Sequence, residues 1–498
     1  MQKTISELAS LVSGAVVVGD GNTVITNIER DSREARRGTL FACIPGVHVD
    51  GNDFIPQAAA QGAAAVITDE DAIVPDGLAG IRVPDVQEAL KAIVPAFYDH
   101  PADKMRVIGI TGTNGKTTTS YMIRSMLRKA GYKVGLIGTI QIMIEDKALE
   151  VHNTTPDIVE LYKTLSRMHE EGMDYVVMEV SSHALAMDRV SGIEFDTAVF
   201  TNLTQDHLDF HKTMENYMLA KAKLFDKLGV PGHKSGKTAV VNIDDEAGSV
   251  MLEHAKCDHM TYSVSHDGAS LKAEDVNVEP GGMKFTIEGG FGCMELSLHI
   301  TGIFNVYNVL AAVGAALAEH VSPSIIKAAL TEFHSVPGRF EIVDAGQDFT
   351  IIVDYAHTPD GLENVLNTAR EIAKKRVITV FGCGGDRDRT KRPKMGRIAS
   401  SLSDVVISTS DNPRSEDPES ILDEVEKGVA ETLGVKQHER ISDRKKAIFR
   451  AVEIAEPDDI VVIAGKGHED YQILKDRTIH FDDRETARAA VAALKGRN

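Results

Sequence analysis

The chain has 498 residues, and its 54 Lys and Arg against 74 Asp and Glu give a formal charge of −20. Roughly 150 residues per domain predicts about three domains, and 43% hydrophobic with 26% charged residues is a globular composition that buries substantial cores. The acidic balance argues against wrapping nucleic acid or lying on an anionic membrane surface, since both need a basic footprint, yet leaves room for local basic pockets around small phosphorylated molecules.

The N-terminus reads MQKTISELASLVSGAVVVGDG, where Glu7 breaks the apolar run and no cleavage pattern follows, so no signal peptide is expected. Up to about residue 104, short apolar segments such as Thr39 to Ile44 and Ala63 to Thr68, punctuated by Asp and Gly, predict a small α/β domain. After the His100-Pro101 turn, Arg106 to Ile110 reads as a buried strand leading into Gly112, Gly115 and a helix from about Thr117 to Ala130. Strand-like runs follow at Tyr175 to Val180, Thr197 to Phe200 and Ala239 to Asn242, alternating with helical patterns. A Gly-rich stretch over about 258 to 300 reads as antiparallel, and an Ala-rich helix follows from Asn305 to about Glu319. Val336-Pro337-Gly338 marks a second boundary, after which Thr350 to Val353, Arg376 to Phe381, Asp404 to Ser408 and Ile460 to Ala464 read as strands.

This alternation predicts an α/β chain of three domains, 1–104, 105–336 and 337–498, with mostly parallel sheets covered by helices. Cys43, Cys257, Cys293 and Cys383 are scattered without a CxxC or Cys/His cluster, which predicts neither zinc nor disulfides and suits a reducing compartment. The longest apolar run, Val309 to Ala318, is far short of the ~20 residues of a membrane span. A cytoplasmic protein is the expectation.

Thr111-Gly-Thr-Asn-Gly-Lys-Thr117 lies between a strand and a helix, where backbone N–H groups and the helix N-terminus favour anionic oxygens. Lys116 suits bridging β and γ phosphates and the Thr117 hydroxyl suits Mg²⁺. The general phosphate-loop pattern wants Gly at 110, which is Ile here, a departure that disfavours a kinase or GTPase. Further on, Tyr217, Lys221, Leu224 and Leu228 fall on one helical stripe, which sets Lys221 on an apolar face and leaves Lys223 off it. A lysine held there loses hydration and becomes a neutral amine able to add CO₂; periodicity alone is also met by a lysine snorkelling from the helix edge.

The loop resembles that of the Mur ligase family of ATP-dependent peptide-forming enzymes, and so do motifs spread in order along the chain. These are Asn153-Thr-Thr-Pro156, Glu179 to His183, Asn202 to Asp209, Gly302 to Asn308, Pro337 to Glu341, Asp354 to Pro359, Gly382 to Arg392, Asp411-Asn-Pro-Arg414 and Gly465 to Glu469. The resemblance implies a central P-loop ATPase-like domain between an N-terminal UDP-sugar-binding domain and a C-terminal Rossmann-like amino-acid-binding domain. It implies addition of meso-diaminopimelate to UDP-N-acetylmuramoyl-L-alanyl-D-glutamate through an acyl phosphate, by a monomer. An L-lysine-adding relative or a folylpolyglutamate-synthetase-like ligase is the alternative.

By the same resemblance Lys116, Lys221 and His207 are catalytic, and Thr117, Glu179, His207 and Lys221 as its carbamate hold Mg²⁺. ATP would meet Thr111, Gly112, Thr113, Asn114, Gly115, Lys116, Thr117, Thr118, Asn305, Arg339 and Asp354. The UDP-sugar would meet Ser32, Asn153, Thr154, Thr155, Ser181 and Arg189, with Met187 where some relatives carry Gln. The incoming diamino acid would meet Arg387, Asp411, Asn412, Pro413, Arg414, Gly465 and Glu469, all just after predicted strands and so on one sheet edge. On residue type alone His207 also reads as a turn histidine, Arg414 as a surface partner of Glu416 or Asp417, and the run Arg387 to Arg392 as solvated. His357 and His468 are candidates for taking the amine proton.

Overall fold

A computed structural model describes residues 1–46, 50–69, 72–149, 153–279, 281–432 and 437–496. Its long strands fall into three sheets. In the first, Val16–Val18, Ala79–Val83, Ala65–Asp69, Thr39–Ala42 and Asn27–Glu29 lie side by side, parallel except for the Val16–Val18 edge. The second has eleven strands. Its heart is Val134–Ile137, Tyr175–Glu179, Arg106–Thr111, Thr197–Phe200 and Thr238–Asn242, all parallel and nearly all buried. Helices cover both faces, so these strands read as continuous apolar runs rather than alternating ones.

The stretch read as antiparallel over 258 to 300 divides in two. Asp258–Ser263 runs parallel to Thr238–Asn242 and to Leu271–Glu279. The antiparallel ladder is Leu271–Glu279, Gly282–Gly289 and Gly292–Leu298. Met283, Phe285, Ile287 and Met294, Leu296, Leu298 are its buried alternate positions, as a sheet with one wet face requires. The helix Lys116–Lys129 and the Ala-rich helix Ile303–Ala318 share the core on one face of the central sheet.

The third sheet runs Glu341–Ile342, Thr350–Asp354, Ile460–Ala464, Val377–Phe381, Val405–Ser408 and Gln437–Arg440, parallel after the first strand. Among the described residues no helix is long and apolar enough to cross a membrane.

Two arginines of the third unit are fully buried. Arg392, in a run read as solvated, is clamped by Glu416 (Nη2 to Oε1, 2.7 Å) and Glu424 (Nη1 to Oε2, 2.8 Å). Arg444 meets the equally buried Asp483 at 2.7 Å and donates to Ala464 O at the end of a central strand. Removing one member of such a pair leaves an uncompensated charge, at a cost of about 3 to 5 kcal/mol. Arg444→Met is expected to lower the stability of this unit by about 3 kcal/mol, read from urea unfolding.

Candidate active site

The carboxyl end of Arg106–Thr111 is the switch point of the central sheet, because the chain leaves it for Val134–Ile137 on one side, comes back beside it as Tyr175–Glu179 and then crosses to Thr197–Phe200 on the other. The loop beyond it is tightly seated. A Cβ on Gly112 would fall 1.8 Å from Thr201 Oγ1, and one on Gly115, at φ +84°, 2.2 Å from Asn308 Oδ1, so neither position admits a side chain. Lys116 turns its ammonium back onto the loop, donating to Gly112 O and Thr113 O at 2.8 Å. Burial lowers its pKa, opposed by Glu179 and Asp206. Thr111 Oγ1 is buried without a partner among the described residues, and Thr113 Oγ1 lies 3.1 Å from Tyr217 OH.

Glu179 is fully buried at the end of its strand. Its carboxylate accepts from Thr117 Oγ1 (3.1 Å), Thr139 N and Thr139 Oγ1 (2.9 Å each), and has no ion pair among the described residues. Lys221 is 1% exposed on Met214–Gly229, its Nζ 4.4 Å from the Tyr217 ring centroid, and no hydrogen bond or ion pair reaches it among the described residues. Burial and the nearby Lys116 push its pKa well below the usual lysine range, against a partial pull from Asp206. The apolar-stripe placement thus holds, and Lys223 is exposed.

His207 has φ +53° in its turn, with Nε2 3.3 Å from Asp206 Oδ2, and packs edge-on against His183 at 4.7 Å between centroids. His183 is pushed down to about 4 by burial and by His207 and His211. Thr117 and Glu179 therefore touch, whereas among the described residues no three His, Cys, Asp or Glu side chains stand at metal-binding spacing.

The third unit reaches over this loop. Arg339 Nη2 lies 3.3 Å from Thr117 Oγ1, and Asp360 Oδ2 accepts from Asn114 Nδ2 at 2.7 Å and Thr204 Oγ1 at 2.9 Å. A cavity of about 370 Å³ opens between the two units against Asn114, Gly115, Thr118, Asn308, Arg339 and Asp354. Asp354 accepts from Phe340 N and Ala356 N, and burial raises its pKa. Asn305 does not line this cavity. Its amide holds Thr301 O and receives Asn308 Nδ2, so it fixes the residue that does.

A second cavity, of about 860 Å³, lies on the other side of the Tyr355 to Thr358 segment and takes in His207, Arg387, Asp411, Asn412, Arg414, Gly465 and Glu469. Arg414, at φ +52°, donates through Nη1 to Gly385 O (2.8 Å), and Glu416 serves Arg392 instead. Arg387 Nη1 holds only Asp386 O among the described residues. Asp411 is 6% exposed and its Oδ1 accepts no hydrogen bond among the described residues. Pro413 shapes the backbone, its O 1.9 Å from where a Gly385 Cβ would sit.

The residues read as meeting a nucleotide sugar divide. Thr155 Oγ1 donates to Glu179 O and accepts from Ser181 N, Arg189 Nη1 donates to Thr155 O at 3.0 Å, and Thr154 Oγ1 takes Thr139 Oγ1 at 3.1 Å. Met187 is exposed beside Arg189. Asn153 is exposed at the edge of this group, and Ser32 sits apart on Gln57. Arg30, which no motif singles out, pairs with Asp157 at 3.1 Å and ties the first sheet to this group. Asp360 and Lys466 were likewise missed. Their neighbours in DYAHTPD and GKGHE were the available signal.

Models described as the Mur ligase family catalytic domain, the Mur ligase middle domain and the Mur ligase glutamate ligase domain match residues 24–98, 110–316 and 338–467. A Bacillus cereus protein named UDP-N-acetylmuramoyl-L-alanyl-D-glutamate--2,6-diaminopimelate ligase is 48% identical over 487 residues, 97% of each chain. The chain belongs to the Mur ligase family. A solved structure of a UDP-N-acetylmuramoyl-L-alanyl-D-glutamate--2,6-diaminopimelate ligase superposes with TM-score 0.69 at 32% identity, covering 99% of this chain and 100% of that one. A Thermotoga maritima MurF ligase in complex with ADP shares the fold at TM-score 0.63 and 18% identity, over 95% of this chain and 98% of that one.

The Asn114–Asp360 bond joins residues 246 apart in sequence. Asn114→Ala and Asp360→Ala are expected to be non-additive, with a coupling of about 1 kcal/mol in a double-mutant cycle read by urea unfolding.

Proposed function

We propose that the chain is an ATP-dependent acid–amino-acid ligase that joins meso-diaminopimelate to UDP-N-acetylmuramoyl-L-alanyl-D-glutamate in peptidoglycan precursor synthesis, in the cytoplasm and as a monomer. The domains are 1–104 for the nucleotide sugar, 105–336 for ATP and 337–498 for the amino acid. The observation that carries this reading beyond family membership is Asp411, a buried carboxylate whose Oδ1 is left without a hydrogen bond on a cavity that Arg414 also lines. An unfilled acceptor beside a guanidinium suits a zwitterionic end group, ammonium on Asp411 and carboxylate on Arg414. L-Lysine has no second carboxylate to offer Arg414.

In the reaction the γ-phosphoryl group leaves ADP for the D-glutamyl γ-carboxylate, making an acyl phosphate. The amine then attacks the acyl carbon, the C–N bond forms as the bond to phosphate breaks, and the amine loses a proton. Lys116 and the N–H groups of residues 112–117 take the β and γ phosphates, and Arg339 brings further positive charge from the third unit. Asp354 and Asn308, held by Asn305, face the nucleoside side. Thr155, Ser181 and Arg189 receive the pyrophosphate and sugar, with Ser32, Asn153 and Thr154 around them. His357 lines both cavities with Nδ1 donating to Tyr355 O at 2.8 Å, so Nε2 is free to take the amine proton.

The donor set fits Mg²⁺. Glu179 is a buried carboxylate with hydrogen bonds but no ion pair among the described residues, the nearby Lys116 ammonium being turned onto Gly112 O and Thr113 O, and buried charges are paired or hold metals. Thr117 Oγ1, Glu179 and His207 would hold it, and bound Mg²⁺ supplies charge that offsets bringing a carboxylate to a triphosphate. Lys221 offers a dehydrated amine that adds CO₂, forming an N–C bond and releasing one proton to leave an anionic carbamate.

Phosphate release with the UDP-linked dipeptide, comparing meso-diaminopimelate with L-lysine, tests the reading; equal or better use of lysine overturns it. Arg414→Ala is expected to erase the preference, raising KM for diaminopimelate about tenfold or more. ¹³C-labelled CO₂ is expected to give a carbamate NMR signal that Lys221→Ala lacks, and short carboxylates are expected to restore part of that variant's activity. Because burial lowers the pKa of this amine, the signal is expected to persist to lower pH than that of an exposed lysine at the same CO₂.

A further inference from the structure

Between the glycines of Gly465-Lys-Gly467 sits a lysine with no exposed surface. The glycines let it turn inward. Gly465 has φ +123° and a Cβ there would meet Asp411 Oδ2 at 2.9 Å, while Gly467 has φ +54° and packs on Tyr355 and Gly338, where a Cβ would approach to 2.7 Å. Lys466 Nζ then donates to Asn412 Oδ1 at 3.1 Å and Glu469 Oε2 at 3.0 Å, and lies 3.6 Å from Asp411 Oδ1, under the Tyr471 ring at 5.4 Å. Asn412 Nδ2 donates to the same Glu469 Oε2 at 2.9 Å, and Ile473 N donates to Asn412 Oδ1.

We propose that Lys466 is the positioning residue of the amino-acid site, fixing Asn412 and Glu469 and leaving two carboxylates with one net negative charge for one incoming ammonium group; this rests on the ligase reading above. Each contact assigns part of that role. Glu469 Oε2 is taken up by Lys466 and Asn412, which leaves Oε1 for the ligand. Asn412 Oδ1 is likewise occupied, so its orientation is set before any ligand arrives. Asp411 Oδ1, within Coulombic but not hydrogen-bond reach of Nζ, stays open as an acceptor. Two carboxylates and one ammonium sum to a single negative charge. That matches an ammonium centre whose own carboxylate goes to Arg414. The buried Arg444 beneath is balanced by Asp483 and adds no further charge to the balance. A buried lysine holding side chains in place before binding lowers the ordering cost of recognition.

The test uses the full-length enzyme, with phosphate release against meso-diaminopimelate and against ATP. Lys466→Met is expected to raise KM for the amino acid about tenfold or more while KM for ATP stays within about twofold. In a Glu469→Gln background, where the carboxylate that Lys466 holds is gone, adding Lys466→Met is expected to cost less than about threefold more. That double variant is uncharged at both positions, so it keeps the question answerable if Lys466→Met alone does not fold. An unchanged KM for the amino acid, an equal rise for both substrates, or fully additive losses would overturn the proposal. Wild-type enzyme that releases no phosphate with this amino acid overturns the ligase reading itself, which the wild-type arm separates from a failure of Lys466.

Discussion

Glu179 is a carboxylate placed beyond water at the end of a buried strand with no ion pair among the described residues, and the rest of the central site is built around satisfying it. Its Oε2 accepts from the hydroxyls of Thr117 on the phosphate-loop helix and of Thr139, its Oε1 accepts from Thr139 N, and Gly138 is glycine because a Cβ there would press to 2.5 Å from Oε1. Its main-chain oxygen takes Thr155, which in turn orders Ser181 and Arg189. One buried charge thus links the phosphate loop to the nucleotide-sugar group, through hydrogen bonds whose loss would leave it unsatisfied.

The second organising element is the segment from Asp354 to Asp360. Tyr355, His357 and Thr358 line both cavities, so this segment is a partition between the nucleotide space and the amino-acid space. Asp360 fastens it to the phosphate loop and Arg339 leans across to Thr117 beside it. Chemistry that passes a phosphoryl group to one substrate and then an acyl group to another needs such an arrangement, with the two reservoirs adjacent but separately walled.

The sheet edges were legible in the sequence because parallel strands buried on both faces are continuous apolar runs, and polar motifs after them must emerge together. Lys221 was legible because helical periodicity places it on the apolar face, although its loss of partners is visible only in three dimensions. What could not be read is pairing across long separations. Nothing local in Asn114 announces Asp360, and the run Arg387 to Arg392 looks solvated because its acids arrive from elsewhere, Glu424 from the helix Pro418–Ala430 and Glu416 from the loop before it. The Asp258–Ser263 strand was misjudged because glycine-rich composition marks turns without fixing which neighbour a strand joins. The role of Lys466 was hidden for the opposite reason, since between two glycines a lysine reads as exposed.

The order of strands in the third sheet has a consequence for how the protein is made. Ile460–Ala464 lies between Thr350–Asp354 and Val377–Phe381, so a gap in the middle of the sheet is filled by a strand synthesised about a hundred residues later. Until it emerges from the ribosome, two apolar flanks face each other without a partner, and such non-local closure is slow. The same strand delivers Gly465, Lys466 and Glu469, so the amino-acid pocket comes into being in the step that completes the sheet. A nascent chain therefore holds its phosphate loop well before it holds a place for the amino acid.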